Sequence, residues 1–346
     1  MTALISDIIT SVKNRVSVPD AGPASQAAYL LEFVQASLDE IVTPEIFSYN
    51  EEFNEHIEIV PLRDSSGNLR YPGGIVPFPS RAYGKNLREV KYRSPSGQLF
   101  NCPLISIEEI DLFQPTTSTN YNYTGSFAIA VRNDDLLLIA SDATLFGQLE
   151  VTYSVKTPTL VNSATLHGSI TNATYSNGTT ALTITSAGAD FDAAFPVLST
   201  RRLDIFRSSS GSWIELNLIA TRTAVGTVTT TGFTADQVTS LNVYQTGGFS
   251  QITSGFPAEL VLLPAERINY SPIPSEADNF LILATCSRVL EAVGDTEGLQ
   301  VNEMKMEKMR KNLSKILAKR VTGKPKVIAN RRGLRAYMRP SSLRGW

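Results

Sequence analysis

Residues 274–294 read PSEADNFLILATCSRVLEAVG, and this stretch decides the fold. Pro274-Ser275-Glu276-Ala277-Asp278 is a helix start signal, with Ser275 as the cap and acids in the first turn, where the helix dipole favours them. From Phe280 to Val293 the chain is almost wholly apolar, as a buried helix would be, and Gly294 stops it. A second helix is predicted from about Thr296 to Arg320. In it Leu299, Asn302, Met306, Met309, Leu313 and Ile316 recur at alternating steps of three and four, a narrow seam suited to packing on a neighbouring helix. Gly323, Pro325, Gly333 and Pro340 exclude a continuous helix beyond it. The C-terminal part is thus a helical hairpin followed by an extended arm.

Working back from the hairpin, the other end of the chain is also helical. Leu4, Ile5, Ile8, Ile9 and Val12 keep helical spacing until Pro19. A second helix, capped by Ser25, presents Leu30, Leu31, Val34, Leu38 and Ile41 and is predicted to end at Thr43-Pro44. Between the helical ends the period changes to two. Strands are predicted at Ile57–Leu62, 136–140 and Leu149–Val155, with a hairpin formed by Leu87–Arg93 and Gln98–Cys102 around Pro95-Ser96-Gly97. Residues 162–249 lack lysine, are rich in Thr, Ser, Gly and Ala, and alternate in short runs at 181–185, 203–206 and 213–216. That composition describes a small antiparallel β module inserted in the main fold. The fold class is therefore α+β. N-terminal helices (1–46) and a C-terminal helical hairpin (250–320) form a helical bundle. A β-rich core segment (47–161), the inserted module (162–249) and a basic arm (321–346) complete it.

Charge is distributed very unevenly. Residues 301–346 hold 14 Lys and Arg against Glu303 and Glu307, whereas the other 300 residues hold 17 basic and 31 acidic groups. An acidic body with a basic arm implies an acidic partner. The search for chemistry is nearly empty. His56 and His167 have no partner at catalytic or metal-ligand spacing, Glu108-Glu109-Ile110-Asp111 lacks the pattern of a calcium loop, and no nucleophile–base–orienter set is evident. Cys102 and Cys286 are expected to be buried free thiols. Neither a secretion signal nor an apolar run long enough to span a bilayer is present, so the reading is of a non-enzyme without metal, cofactor or membrane. In the arm, Lys324, Lys326, Arg331, Arg332, Arg335, Arg339 and Arg344 interleave with Leu334, Tyr337 and Trp346. Such anchors suit docking into grooves of another protein, with arginines forking onto carboxylates at the rim. The alternative is a nucleic-acid-binding module that grips a strand with the same arginines and Tyr337.

Several stretches resemble the head-to-tail adaptor (connector) proteins of short-tailed bacteriophages. They are residues 77–90, with Arg81, Gly84 and Arg88; 147–161; Ile273-Pro274-Ser275-Glu276 followed by 290–298, with Gly294, Asp295 and Gly298; and 320–334. The resemblance covers about a third of the chain and contains no catalytic signature. It implies a virion protein at the head–tail junction: a homo-oligomeric ring of twelve copies beneath the portal protein, with a tail or nozzle protein below it. It also implies an arm reaching into portal subunits and a central channel for double-stranded DNA. An acidic body suits such a channel, since like charge gives passing DNA no non-specific affinity.

Overall fold

The structure is a computed structural model that describes residues 2–16, 23–50, 54–63, 67–109, 128–139, 147–176, 181–187, 193, 195–196, 199–208, 211–224, 227–230 and 260–317. It is a mixed α+β fold with N-terminal helices, a β-rich middle and C-terminal helices. α1 (Ile5–Arg15) buries Ile5, Ile8, Ile9 and Val12, the face predicted by their spacing. α2 (Pro23–Ser37) begins on its proline, whose missing N–H is not needed in a first turn, so Ser25 lies within that turn rather than capping it. The chain does not stop at Thr43-Pro44. A π-turn, Leu38–Val42, widens the helix, the Thr43 N–H donates to the Leu38 carbonyl, and α3 (Thr43–Tyr49) carries Pro44 in its first turn. The wider turn accommodates a ring that would otherwise strike the carbonyl four residues back.

Among the described residues eight strands follow: β1 (Glu55–Pro61), β2 (Ile75–Pro77), β3 (Ala82–Arg93), β4 (Leu99–Asn101), β5 (Leu104–Ile105), β6 (Ala128–Arg132), β7 (Asp135–Ile139) and β8 (Gln148–Val155). They form two four-stranded sheets, ordered β1-β8-β3-β4 and β2-β7-β6-β5. β8 is the central element of the first sheet, pairing antiparallel with both β1 and β3, and buries Leu149, Val151, Tyr153 and Val155. β3 and β4 make the predicted hairpin, with Gly97 at φ 82° in its turn.

The Thr-rich region folds into a closed barrel of six antiparallel strands: β10 (Gly168–Ser176), β11 (Ala181–Ala187), β12 (Thr200–Arg207), β13 (Ser212–Ala224), β14 (Thr227–Thr230) and β15 (Leu260–Pro264). β15 closes it, pairing with β12 on one side and β10 on the other. This strand lies past residue 249, in the segment expected to carry only the helical hairpin. Its residues Leu260–Leu263 are all buried, so no alternation of polar and apolar residues marks it in the sequence. The barrel is flanked in sequence by β9 (Thr159–Leu160) and β16 (Arg267–Ile268), which pair with each other in parallel. Asn269 reinforces this neck by donating through Nδ2 to the Ser163 carbonyl (2.7 Å) and to His167 Nδ1 (3.0 Å). The N-terminal residues run alongside it, with Ile5 N–H on the Asn269 carbonyl and Ser271 N–H on that of Ala3.

α4 (Asp278–Val293) packs against α1, α2 and α5 (Thr296–Leu317) and is buried on nearly every face, from Phe280 to Leu290. Ser275 does not cap it. Residues Ser275–Ala277 form a 3-10 turn, the helix proper starts at Asp278, and the Asp278 carboxylate accepts the Ala3 N–H instead, which ties the N-terminus to the helix start.

Candidate functional site

The arm named in the sequence reading, from Lys324 and Lys326 through Arg331, Arg332, Leu334, Arg335, Tyr337, Arg339 and Arg344 to Trp346, lies outside the described residues. The seam and the motif positions lie within them, and they fall into two clusters.

The first cluster is the turn between α4 and α5. Gly294 takes the left-handed conformation (φ 81°, ψ 18°), its N–H returns to the Glu291 carbonyl, and the Asp295 N–H reaches that of Leu290, closing the helix end. Asp295 then caps α5, accepting the Gly298 N–H at 2.9 Å. Gly298 is where this cap presses against the chain: a Cβ there would sit 2.4 Å from Asp295 Oδ2 and 3.0 Å from Leu290 Cδ2. The Gly-Asp-Thr-Glu-Gly run thus closes α4 and caps α5.

From this turn the seam zips α5 onto the core. Leu299, Met306 and Met309 pack against it and Leu313 is fully buried. Asn302 is buried as well, its Nδ2 donating to the Leu283 carbonyl and to Ser287 Oγ, both at 2.7 Å. Ile316 does not belong to the seam: it is 49% exposed, and Leu317 packs inward instead. Leu317 lies five turns of about 3.6 residues beyond Leu299, so a straight helix brings it back to the same face, whereas a strict three–four alternation drifts off it. The outer side of α5 carries Val301 and Met304, the latter 67% exposed. Between the end of α1, α4 and α5, with Val301 in its wall, runs a groove of about 680 Å³ lined by Val16, Leu283, Cys286, Leu290 and Val293, with the bases Arg15 and Lys305 and the acids Asp295 and Glu297. Cys102 and Cys286 are both free and buried, and burial pushes both thiols up, to about 12 and about 11, so neither is a ready nucleophile.

The second cluster joins the four-stranded β1-β8-β3-β4 sheet to the barrel. Arg81, just before β3, is buried and donates through Nη1 to Asp204 Oδ2 on β12 at 2.8 Å, with its guanidinium 5.8 Å from the centre of the Trp213 ring. Gly84 (φ 59°) sits where the β3–β8 register shifts, and Arg88 pairs with Glu55 across the sheet surface. His56 is buried edge-on to Tyr153, whose hydroxyl donates to Glu58 at 2.8 Å. Burial and the Arg81 charge hold the His56 imidazole down, to about 4, so it is neutral at pH 7. Burial pushes the carboxyls of Glu58 and Asp204 up, while Tyr153 and Arg81 respectively pull them back. Sequence reading missed the Asp204 half of this cluster, because nothing local to Leu203-Asp204-Ile205 signals a partner more than a hundred residues away.

His167 is held at the neck by Asn269 and by the Tyr270 hydroxyl (3.2 Å), and burial lowers its pKa. Glu109 accepts the Ser106 N–H at the start of its own short turn; its neighbour Asp111 lies outside the described residues. Among the described residues no group of three His, Cys, Asp or Glu side chains is placed to hold a metal ion, and no helix is long and apolar enough to cross a membrane. No model of a known protein family matches this sequence, and no curated protein matches it either.

Proposed function

We propose that the chain is a structural adaptor at the head–tail junction of a short-tailed phage particle. In this reading twelve copies close into a ring, the helical bundle forms its packed wall, and the arm straps each copy to the portal protein. A tail or nozzle protein attaches below, and double-stranded DNA passes through the centre. The observation that carries the reading is the partition of charge, a basic arm with aromatic anchors on a body whose other 300 residues hold 31 acids against 17 bases. The exposed Met304 near a groove that has an apolar floor and charged rims supports it, since a protrusion on one copy that fits a groove on the next is the heterologous contact a closed ring requires.

Mass photometry of the purified chain, alone and with a portal ring, tests the proposal. A species of about twelve copies under either condition is expected; a monomer under both overturns it. Deleting residues 321–346 should abolish portal association and leave the body folded. Gel retardation of DNA at physiological salt separates the alternative: tight binding that disappears with the arm, and falls steeply as salt rises, would assign the arm to nucleic acid instead.

A further inference from the structure

The joint between barrel and sheet has more organisation than packing alone requires. Asp204 has no solvent exposure, and both of its oxygens are engaged. Oδ1 accepts the N–H of Asn217 (2.8 Å), and Oδ2 accepts the N–H of Glu266 (3.2 Å) together with Arg81 Nη1 (2.8 Å). Asn217 and Glu266 are two of the four non-glycine residues with positive φ among the described residues, at 57° and 68°. Asn tolerates that conformation well and Glu poorly, and each is held in it by a contact from outside the residue. One carboxylate supplies it for both: for a β13 residue where the β12–β13 register shifts, and for the turn from β15 into β16. The side chain that holds these two left-handed residues is therefore the same one that Arg81 grips from the sheet.

We propose that Arg81 and Asp204 form a latch that fixes the angle of the barrel on the sheet and couples that docking to the order of the left-handed residues Asn217 in β13 and Glu266 after β15. Arg81 is anchored on the sheet side, where its carbonyl accepts the Lys156 N–H at 2.7 Å, and on the barrel side it reaches β12 through the ion pair and β13 through Trp213. Its second amino group, Nη2, has no hydrogen-bond partner among the described residues, so the fork is engaged at one tine. Thr2 holds the barrel at another point, its N–H (2.7 Å) and its hydroxyl (2.9 Å) both donating to the Ser208 carbonyl, so loss of the ion pair leaves the barrel attached there and free to turn about that attachment. The chain path agrees, because entry and exit through β9 and β16 lie side by side and form a narrow neck. The inference is independent of the ring reading.

The test uses the full chain with one spin label on the barrel (R201C) and one on α5 (N312C), both at exposed positions. Pulsed electron resonance reads the distance between them and hydrogen exchange reads individual amides. In R81M and D204N the distance distribution should broaden, and exchange at Asn217 and Glu266 should accelerate by about tenfold or more while α4 amides stay protected. D204N keeps the shape and loses the charge, so it carries the test where R81M does not fold. An unchanged distance distribution and unchanged exchange at Asn217 and Glu266 overturn the latch. So does exchange that rises equally across α4 in both variants, since the pair would then support the whole fold and not a joint.

Discussion

The α4–α5 hairpin and the sheet–barrel joint are the two places where the motif residues gather, and they are built by opposite means. The hairpin is held by apolar packing of residues close in sequence, with one polar group, Asn302, buried inside the seam. The joint is held by charge and hydrogen bonds between residues 123 positions apart. Apolar contacts tolerate substitution gradually, because they sum many small terms. A buried ion pair fails abruptly, because removing one partner strands the other. The hairpin should therefore degrade by degrees and the joint all at once.

The most severe break expected is Asp204→Ala, which leaves Arg81 buried and unpaired and should lower stability by about 3–5 kcal/mol in urea titration. Adding Arg81→Met to that variant should recover part of the loss; a double variant worse than the single would show that the joint is not governed by charge. Acid provides the second route. His56 is held to about 4 in the folded chain against 6.5 when unfolded, so folded and unfolded states are both neutral above pH 6.5. As pH falls below that the unfolded chain takes the proton first, and stability is lost down to the folded value, by about 3 kcal/mol from this group. The raised Glu58 and Asp204 carboxyls work in the other direction, taking up protons in the folded state first. His56→Phe should flatten the fall in melting temperature between pH 6.5 and 4; an unaltered slope would assign it to other groups.

The hairpin should respond less. Asn302→Ala removes two hydrogen bonds to α4 and should cost about 1–2 kcal/mol. Gly298→Ala pushes the Asp295 side chain out of its capping position, and the lost cap, partly offset by the better helix propensity of Ala, should cost about 1 kcal/mol or less by thermal unfolding. Met304→Glu is the mildest for the fold, within about 0.5 kcal/mol. If the proposed ring exists, the same variant should prevent its assembly in mass photometry, which separates a surface role from a core role.

The same contrast explains what was legible in the sequence. Helices α1, α4 and α5 follow from periodicity within each segment, as does the buried face of Ile5, Ile8, Ile9 and Val12. Strands β1, β3, β8, β11, β12 and β13 are visible as alternating or β-branched runs, and β7 as a short apolar run bounded by Asp. The errors share a cause, since each depends on something the local pattern does not contain. Pro44 is absorbed by a π-turn, Ser275 yields to a contact with Ala3, and Ile316 loses to Leu317 through helical drift. β15, which closes the barrel, reads as an unpatterned apolar run. Arg81 was singled out through a resemblance, while its partner Asp204 carried no signal, because a long-range ion pair leaves no trace at either end.

The neck has a consequence for how such a chain is put together. Because β9 and β16 run parallel with Thr159 opposite Arg267, the chain enters and leaves the barrel through paired strands about 4.8 Å apart. The barrel-bearing segment is thus a cassette whose two connections are held to each other, and any replacement has to carry the chain back to the start of β16 as a crossover does. Exchange of the cassette between related chains, or its replacement in the laboratory by another small domain, needs an accommodation at each group that grips it from outside: Arg81 on Asp204, Thr2 on Ser208 and Asn269 on Ser163.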